Sequence, residues 1–174
     1  MLAALTVRDI VLIESAALEF APGLNVLTGE TGAGKSILLD ALGLAAGGRG
    51  GGRAAVRPSA TQGSATAVFE PGPDHRARAL LHEQDMPAED EIVLRRTLAS
   101  DGRTRAFVND EPVGVGLLKD LGAMLLEIHG QADDRGLFDV STHRMLLDAF
   151  GGHEAVAIET AEIGRASCRE RVCT

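Results

Sequence analysis

A chain of 174 residues with 45% hydrophobic content carries enough apolar material for one packed domain and is no disordered polymer. It has no Trp or Tyr and only five Phe, so aliphatic side chains and alanine must fill the core. A formal charge of −8 excludes a uniformly polybasic nucleic-acid binder and leaves any such contact to a local patch.

In chain order, "ALTVRDIVLIESAALEF" reads as two short strands with a polar break, because Val7, Ile10, Val11 and Ile13 favour strand and Ala17 to Phe20 alternates. Arg8, Asp9, Glu14 and Glu19 interrupt any apolar leader there, and no apolar run is long enough to span a bilayer, so a cytoplasmic chain without membrane segments is expected. Pro22-Gly23 is a turn. "LNVL" at 24–27 reads as a short strand buried on both faces. Residues 36–46 carry a helical pattern that is apolar nearly all round, with Asp40 the one charge, which places the helix in an interior against a sheet. "GGRGGGR" at 47–53 breaks the pattern.

Residues 65–70 alternate as a strand, and Arg76 to Gln84 reads as a short helix. "EIVLRRTLA" and "RTRAFVN" flank Ser100-Asp101-Gly102, the clearest hairpin in the chain. Val115 to Leu121 reads as a helix and "MLLEI" at 124–128 as a further buried strand leading into "HGQADD". Ser141 can cap a helix through "THRMLLDAF", closed by Gly151-Gly152, and a last helical stretch begins near His153. The only cysteines, Cys168 and Cys173, lie in a terminal stretch with no amphipathic period, so a disulfide framework or zinc site is not expected. Residues 163–174 hold three Arg and one Glu and look like translated vector or adaptor sequence rather than part of the fold.

Chemistry concentrates in Gly29-Glu30-Thr31-Gly32-Ala33-Gly34-Lys35-Ser36, which matches G-x-x-x-x-G-K-[ST], the Walker A loop. Glycines let the backbone curl so that successive N–H groups aim at one anion, and the helix that follows adds its positive end. Lys35 would reach the β- and γ-phosphates, and the Ser36 hydroxyl would ligate Mg²⁺. The chain uses Arg almost everywhere, and its only lysines are Lys35 and Lys119. A compact ammonium suits a phosphate cradle better than a guanidinium fork.

The early loop, a β-rich segment after the first helix, and a later strand leading to Gln131 resemble the heads of ABC-type ATPases, and within them the SMC-like branch. "GLNVLTGETGAGKSILLDALGLAAGGR", "RAFVNDEPV" and "EIHGQADDRGLFDVSTHRMLLDAFGG", in that order, resemble the amino-terminal segments of the RecN family of bacterial DNA-repair ATPases. The resemblance runs from Met1 to about Glu162. It implies an α/β P-loop NTPase fold with a mixed sheet around the P-loop helix and an antiparallel subsheet. It also implies a lobe over residues 1–152, the start of a helical arm over 153–162, and the foreign stretch 163–174 outside both. As the resemblance has it, Gly29 to Ser36 bind ATP, and Gln131 is the Q-loop glutamine that joins Ser36 at Mg²⁺. Lys35 and Gln131 then serve catalysis. The partners implied are a carboxy-terminal lobe of the same protein, a second head in a homodimer, and DNA, with the protein associated with the nucleoid and not with a membrane.

Other polar residues carry weaker signals. On its residues alone Gln131 reads as an exposed loop amide ahead of a site residue at a strand's carboxyl end. His129 is a lone His at a strand end. Arg49, Arg53 and Arg57 fall where SMC-like heads hold a phosphate- or DNA-contacting arginine, and their glycine-rich setting leaves open which of them it would be. Arg95, Arg96, Arg103 and Arg105 make the hairpin basic, yet adjacent Arg95 and Arg96 must face opposite ways.

No LSGG-type signature and no apolar run ending in Asp-Glu follows Gln131. Phosphoryl transfer needs both a positioned water and a second set of phosphate contacts, so the sequence reads as the amino-terminal part of a larger ATPase. Two rivals stand beside that reading. One is the nucleotide-binding subunit of a transporter, which is disfavoured because no Tyr or Trp precedes the loop to stack on adenine. The other is a non-catalytic docking fragment.

Overall fold

Alternation along the strands builds the fold. In the computed structural model β1 (Leu2–Ile10) turns at Val11-Leu12 into β2 (Ile13–Glu19), and Ile10 pairs with Ile13 across the two-residue turn. Residues 1–29, 34–48, 56–87, 90–128, 147–148, 150–153, 156 and 160 are described. The chain divides into two compact units, Met1–Ile128 and His129–Thr174.

In the first unit, α1 (Lys35–Ala45) precedes β3 (Gln62–Phe69), α2 (Arg76–Glu83), β4 (Ile92–Ala99), β5 (Thr104–Val108), β6 (Glu111–Val113) and α3 (Val115–Leu125). The strands form one six-stranded sheet in the order β2-β1-β3-β4-β5-β6, with every pair antiparallel. β1 lies between β2 and β3, so α1 and the Walker A loop are carried in the β2–β3 connection.

One face of this sheet is the core. Val7, Ala65, Phe69, Ile92, Leu94 and Val108 are fully enclosed there with Leu81 of α2 and Leu118 and Leu121 of α3. α1 lays Ala41, Leu42, Leu44 and Ala45 on the same side. Alanine at 65, 67 and 106 leaves room for the helices to sit close to the strands, which suits a chain with few aromatics. α1 and α3 approach through glycine. A Cβ on Gly122 would collide with the Ala46 carbonyl oxygen, so no other residue fits without moving backbone.

The two amino-terminal strands, the Pro22-Gly23 turn with Gly23 at φ 93, the α2 helix and the hairpin through Asp101-Gly102 all form as the sequence indicates. Other expectations are corrected. Residues 24–27 are not a buried strand. Leu24 is 91% and Val26 69% exposed, because no described strand lies beside them to supply a ladder or cover. The buried strand expected at 124–128 is absent too. Met124 and Leu125 continue α3, whose Leu118, Leu121 and Leu125 follow helical spacing, and the chain becomes extended only at Leu126, φ −148. α1 is interior on one face only: Leu39 is half-exposed, and Asp40 faces solvent. β6 was not legible as a strand. Asn109 and Asp110, at φ 48 and 67, make a tight two-residue turn that returns Glu111 beside Val108.

In the second unit the expected helix end at Gly151-Gly152 is present. The Gly151 N–H donates to the Leu147 carbonyl at 2.9 Å and the His153 N–H to that of Asp148 at 2.8 Å, with Gly152 at φ 68.

Candidate nucleotide-binding site

The approach to the loop is held locally. The Asn25 side chain donates to the Ala21 carbonyl at 2.7 Å and accepts from the Ala21 N–H at 3.1 Å, which staples the Pro22-Gly23 turn. The chain then runs through Leu24–Leu27 to Gly29. On the far side of the loop Gly34 stands at φ 86, a left-handed conformation that a side chain would strain, and opens α1 by accepting from the Leu38 N–H at 3.0 Å. Lys35 and Ser36 follow as the first helical residues.

The start of α1 lacks the usual side-chain caps. Gly34 has no side chain to offer, and no acidic residue lies in the first turn. The first N–H groups of a helix need an acceptor and carry the positive end of its dipole. With no side-chain cap supplied among the described residues, they suit an external anion. The Lys35 ammonium donates to the carbonyl of Gly29, so the lysine bridges the two ends of the eight-residue motif. Ser36 is exposed and follows it in the first turn of α1. Lys35 thus returns to Gly29, while Gly34 and Ser36 flank it in the chain at the start of α1. Glu30, Thr31, Gly32 and Ala33 lie outside the described residues, as do His129, Gln131, Arg49, Arg53, Ser141 and the stretch 163–174.

The arginines separate into different roles. Arg57 reaches the same end of the sheet, where Ile13 lies 4.0 Å from the position a Cβ on Gly34 would take. Its guanidinium is engaged, 2.8 Å from Glu14 and 3.8 Å from Asp9, while its N–H donates to the Asp9 carbonyl at 2.9 Å. It therefore straps the residues after the Gly-rich segment to the β1–β2 turn. Arg95 stacks over Phe107, 4.5 Å from the ring centre, and pairs with Asp110 at 2.9 Å. Arg96 points to the core side, where a 3.3 Å bond from Nη2 to the Thr104 hydroxyl serves it, and its Nε and Nη1 have no partner among the described residues. Burial lowers its pKa from the usual arginine range. Arg103 pairs with Asp101 in the hairpin turn. Sequence reasoning missed the Arg57 strap. Its partners, Asp9 and Glu14, flank a turn that lies 43 residues away in the case of Glu14, and nothing in local pattern signals that pairing.

Among the described residues no cluster of His, Cys, Asp or Glu could hold a metal ion by itself, and no helix is long and apolar enough to cross a membrane.

Known proteins resemble this arrangement. A family model described as an AAA domain matches residues 4–77. The chain is 39% identical over 154 residues to the DNA repair protein RecN of Xylella fastidiosa (strain 9a5c), covering 88% of this chain and 28% of that protein. It is 39% identical over 166 residues to RecN of Bacillus subtilis (strain 168), covering 94% and 29%. The chain thus spans less than a third of the length of these curated relatives. Among solved structures, an Smc head domain with an extended coiled coil from Pyrococcus furiosus superposes with a TM-score of 0.68 at 20% identity, covering 98% of this chain and 46% of that one. The recombination mediator RecF with ATP superposes with a TM-score of 0.59 at 23% identity, covering 85% and 37%. Along most of its own length the chain is thus similar in sequence to RecN proteins, and its fold is that of an SMC head domain.

Proposed function

We propose that this segment binds ATP with Mg²⁺ at residues 29–36 and serves as the amino-terminal lobe, over residues 1–152, of a RecN-type ATPase that acts in the repair of DNA double-strand breaks. Residues 153–162 then begin its helical arm. The observation that carries this reading is the uncapped start of α1 behind Gly34, with the Lys35 ammonium bonded back to the Gly29 carbonyl. The amides of the first turn hold the phosphates, and Lys35 exchanges the Gly29 carbonyl for a phosphate oxygen, a charge-assisted bond about twice as strong as a neutral one. Ser36, with Gln131, would hold Mg²⁺, which when bound neutralises charge on the phosphate oxygens.

Hydrolysis needs a general base and an opposing set of phosphate contacts, and those are assigned to a carboxy-terminal lobe and to a second head. The exposed Leu24, Val26 and Leu27 support this, because an apolar run beside a P-loop has no reason to face water unless further strands cover it. One structural neighbour, with a TM-score of 0.62 at 20% identity, is described by the ATP-driven dimerisation and DNA-stimulated activation of SMC ATPases, which is the basis for proposing head-to-head pairing and action on DNA at the nucleoid.

Titration calorimetry with MgATP tests the first step. Lys35→Ala is expected to weaken binding at least tenfold, about 1.4 kcal/mol. Equal affinity in the variant and parent would overturn the P-loop assignment. Phosphate release tests the second step. The chain alone should not turn over, a RecN-type carboxy-terminal lobe added in trans should restore Mg²⁺-dependent release, and Gln131→Ala should then lower it sharply. Steady release by the chain alone, abolished by Lys35→Ala, would place the base within these residues.

A further inference from the structure

The sheet has a second face, opposite the helices. In register across four strands, Arg8 of β1 lies beside Ser64 of β3, Ser64 beside Thr97 of β4, and Thr97 beside Arg105 of β5. Residues paired in this way project from the same side. Their neighbours Val7, Ala65, Leu98 and Ala106 are buried on the other side, so this row is the outward one. No described element packs over it, since all three helices contribute to the core face.

A solvated sheet face commonly carries Thr and Ser with charges of both signs. This one is biased. The protein carries a net charge of −8, yet Arg8 and Arg105 are exposed and neither is in an ion pair among the described residues. Between them lie two hydroxyls and no carboxylate. Asp110 reaches the neighbourhood but is engaged by Arg95, and Glu19 stands at the far edge of β2. Three strand spacings put the Arg8 and Arg105 backbones about 14 Å apart. That is close to the roughly 12 Å width of the DNA major groove. Two long guanidinium side chains at that separation can each reach one of the phosphate ridges that border a groove, with hydroxyl donors between.

We propose that this outward face of the sheet docks the sugar-phosphate backbone of duplex DNA, with Arg8 and Arg105 as the two phosphate contacts and Ser64 and Thr97 as donors between them. The proposal rests on the reading of this chain as part of a DNA-repair ATPase and gives the DNA a surface distinct from the P-loop.

The test uses the whole chain, a labelled duplex of about 30 base pairs and a series of salt concentrations. The parent should bind with a dissociation constant of roughly 10 µM or tighter at low salt, within the range usual for sequence-independent binding. Arg8→Ala with Arg105→Ala should weaken this about tenfold or more and reduce the magnitude of the log–log salt slope by about 2, one for each guanidinium taken off a phosphate. Lys119→Ala, which removes a cation from α3 on the other side of the sheet, should change neither. Circular dichroism melts verify that the variants are folded, and replacement by Gln instead of Ala serves if either variant unfolds. An unchanged salt slope in the double variant overturns the proposal. So does an equal loss with Lys119→Ala, equal competition by polyglutamate, or no binding by the parent. MgATP titration of the double variant separates the two readings: retained ATP binding with lost DNA binding supports the face, while ATP binding without any DNA binding by the parent sinks the face and leaves the P-loop assignment standing.

Discussion

The sheet and the segment that leads into the Walker A loop are built from the same kinds of residue and meet opposite fates. In the sheet, Phe69, Ile92 and Leu94 are essentially inaccessible, and each strand between the two edges has a partner on both sides. In 24–27, Leu24, Val26 and Leu27 are exposed and join no strand. Hydrophobicity and β-propensity do not differ enough to explain this. Neighbours do: a strand is stable only where another strand pairs with it and a layer covers it. The sheet finds both within one connected stretch of chain, whereas the loop's approach finds neither among the described residues.

That contrast can be broken or sharpened by substitution, beginning with the largest effect. Phe69→Ala should cost about 3–5 kcal/mol by chemical denaturation, since it empties a fully enclosed site. A loss under about 1 kcal/mol would mean that the sheet core is far looser than its burial implies. Gly122→Ala should cost about 1–3 kcal/mol, because its methyl would collide with the Ala46 backbone at the α1–α3 crossing. A thermal midpoint equal to that of the parent would show that the two helices do not cross closely in solution.

Arg96→Met should move stability the other way, upward by about 1 kcal/mol. The folded state holds this guanidinium with two nitrogens unpartnered among the described residues, and its pKa is lowered by desolvation. A base whose folded pKa lies below its unfolded value is charged at a cost, and that cost applies at every pH below the folded value. A higher thermal midpoint in the variant at neutral pH is the expected result, and a clear drop would reveal an acceptor for Arg96. Smallest of all, Val26→Ser should change unfolding free energy by no more than about 0.5 kcal/mol, as for any exposed position, while reducing light scattering on concentration. A loss comparable to that of Phe69→Ala would show that 24–27 is packed after all.

Several features were legible without coordinates because they are local. Asp101-Gly102 fixes the β4–β5 hairpin, since a tight turn needs residues that tolerate its backbone angles, and Gly102 stands at φ 89. The alternation in β3 and β4 fixes which side chains enter the core. The Walker A spacing also signalled that a helix would begin at Lys35 directly after a left-handed Gly34, because only glycine takes that backbone conformation freely. Strand alternation also determined that adjacent Arg95 and Arg96 would part, one stacked on Phe107 and the other turned into the core.

Tertiary structure alone decided the remainder, since each of those outcomes depends on groups far apart in sequence. An apolar run such as 24–27 or 124–128 reads the same whether it pairs, extends a helix or stays uncovered, and only the available neighbours settle which. Arg57 is an engaged strap because the β1–β2 turn brings Asp9 and Glu14 to it. Arg8 and Arg105, nearly a hundred residues apart, stand in one row because β1, β3, β4 and β5 pair in that order and in that register. Strand order is set by which long-range pairings bury the most apolar surface at the least loop-closure cost, a balance struck over the whole chain that no single window of sequence contains.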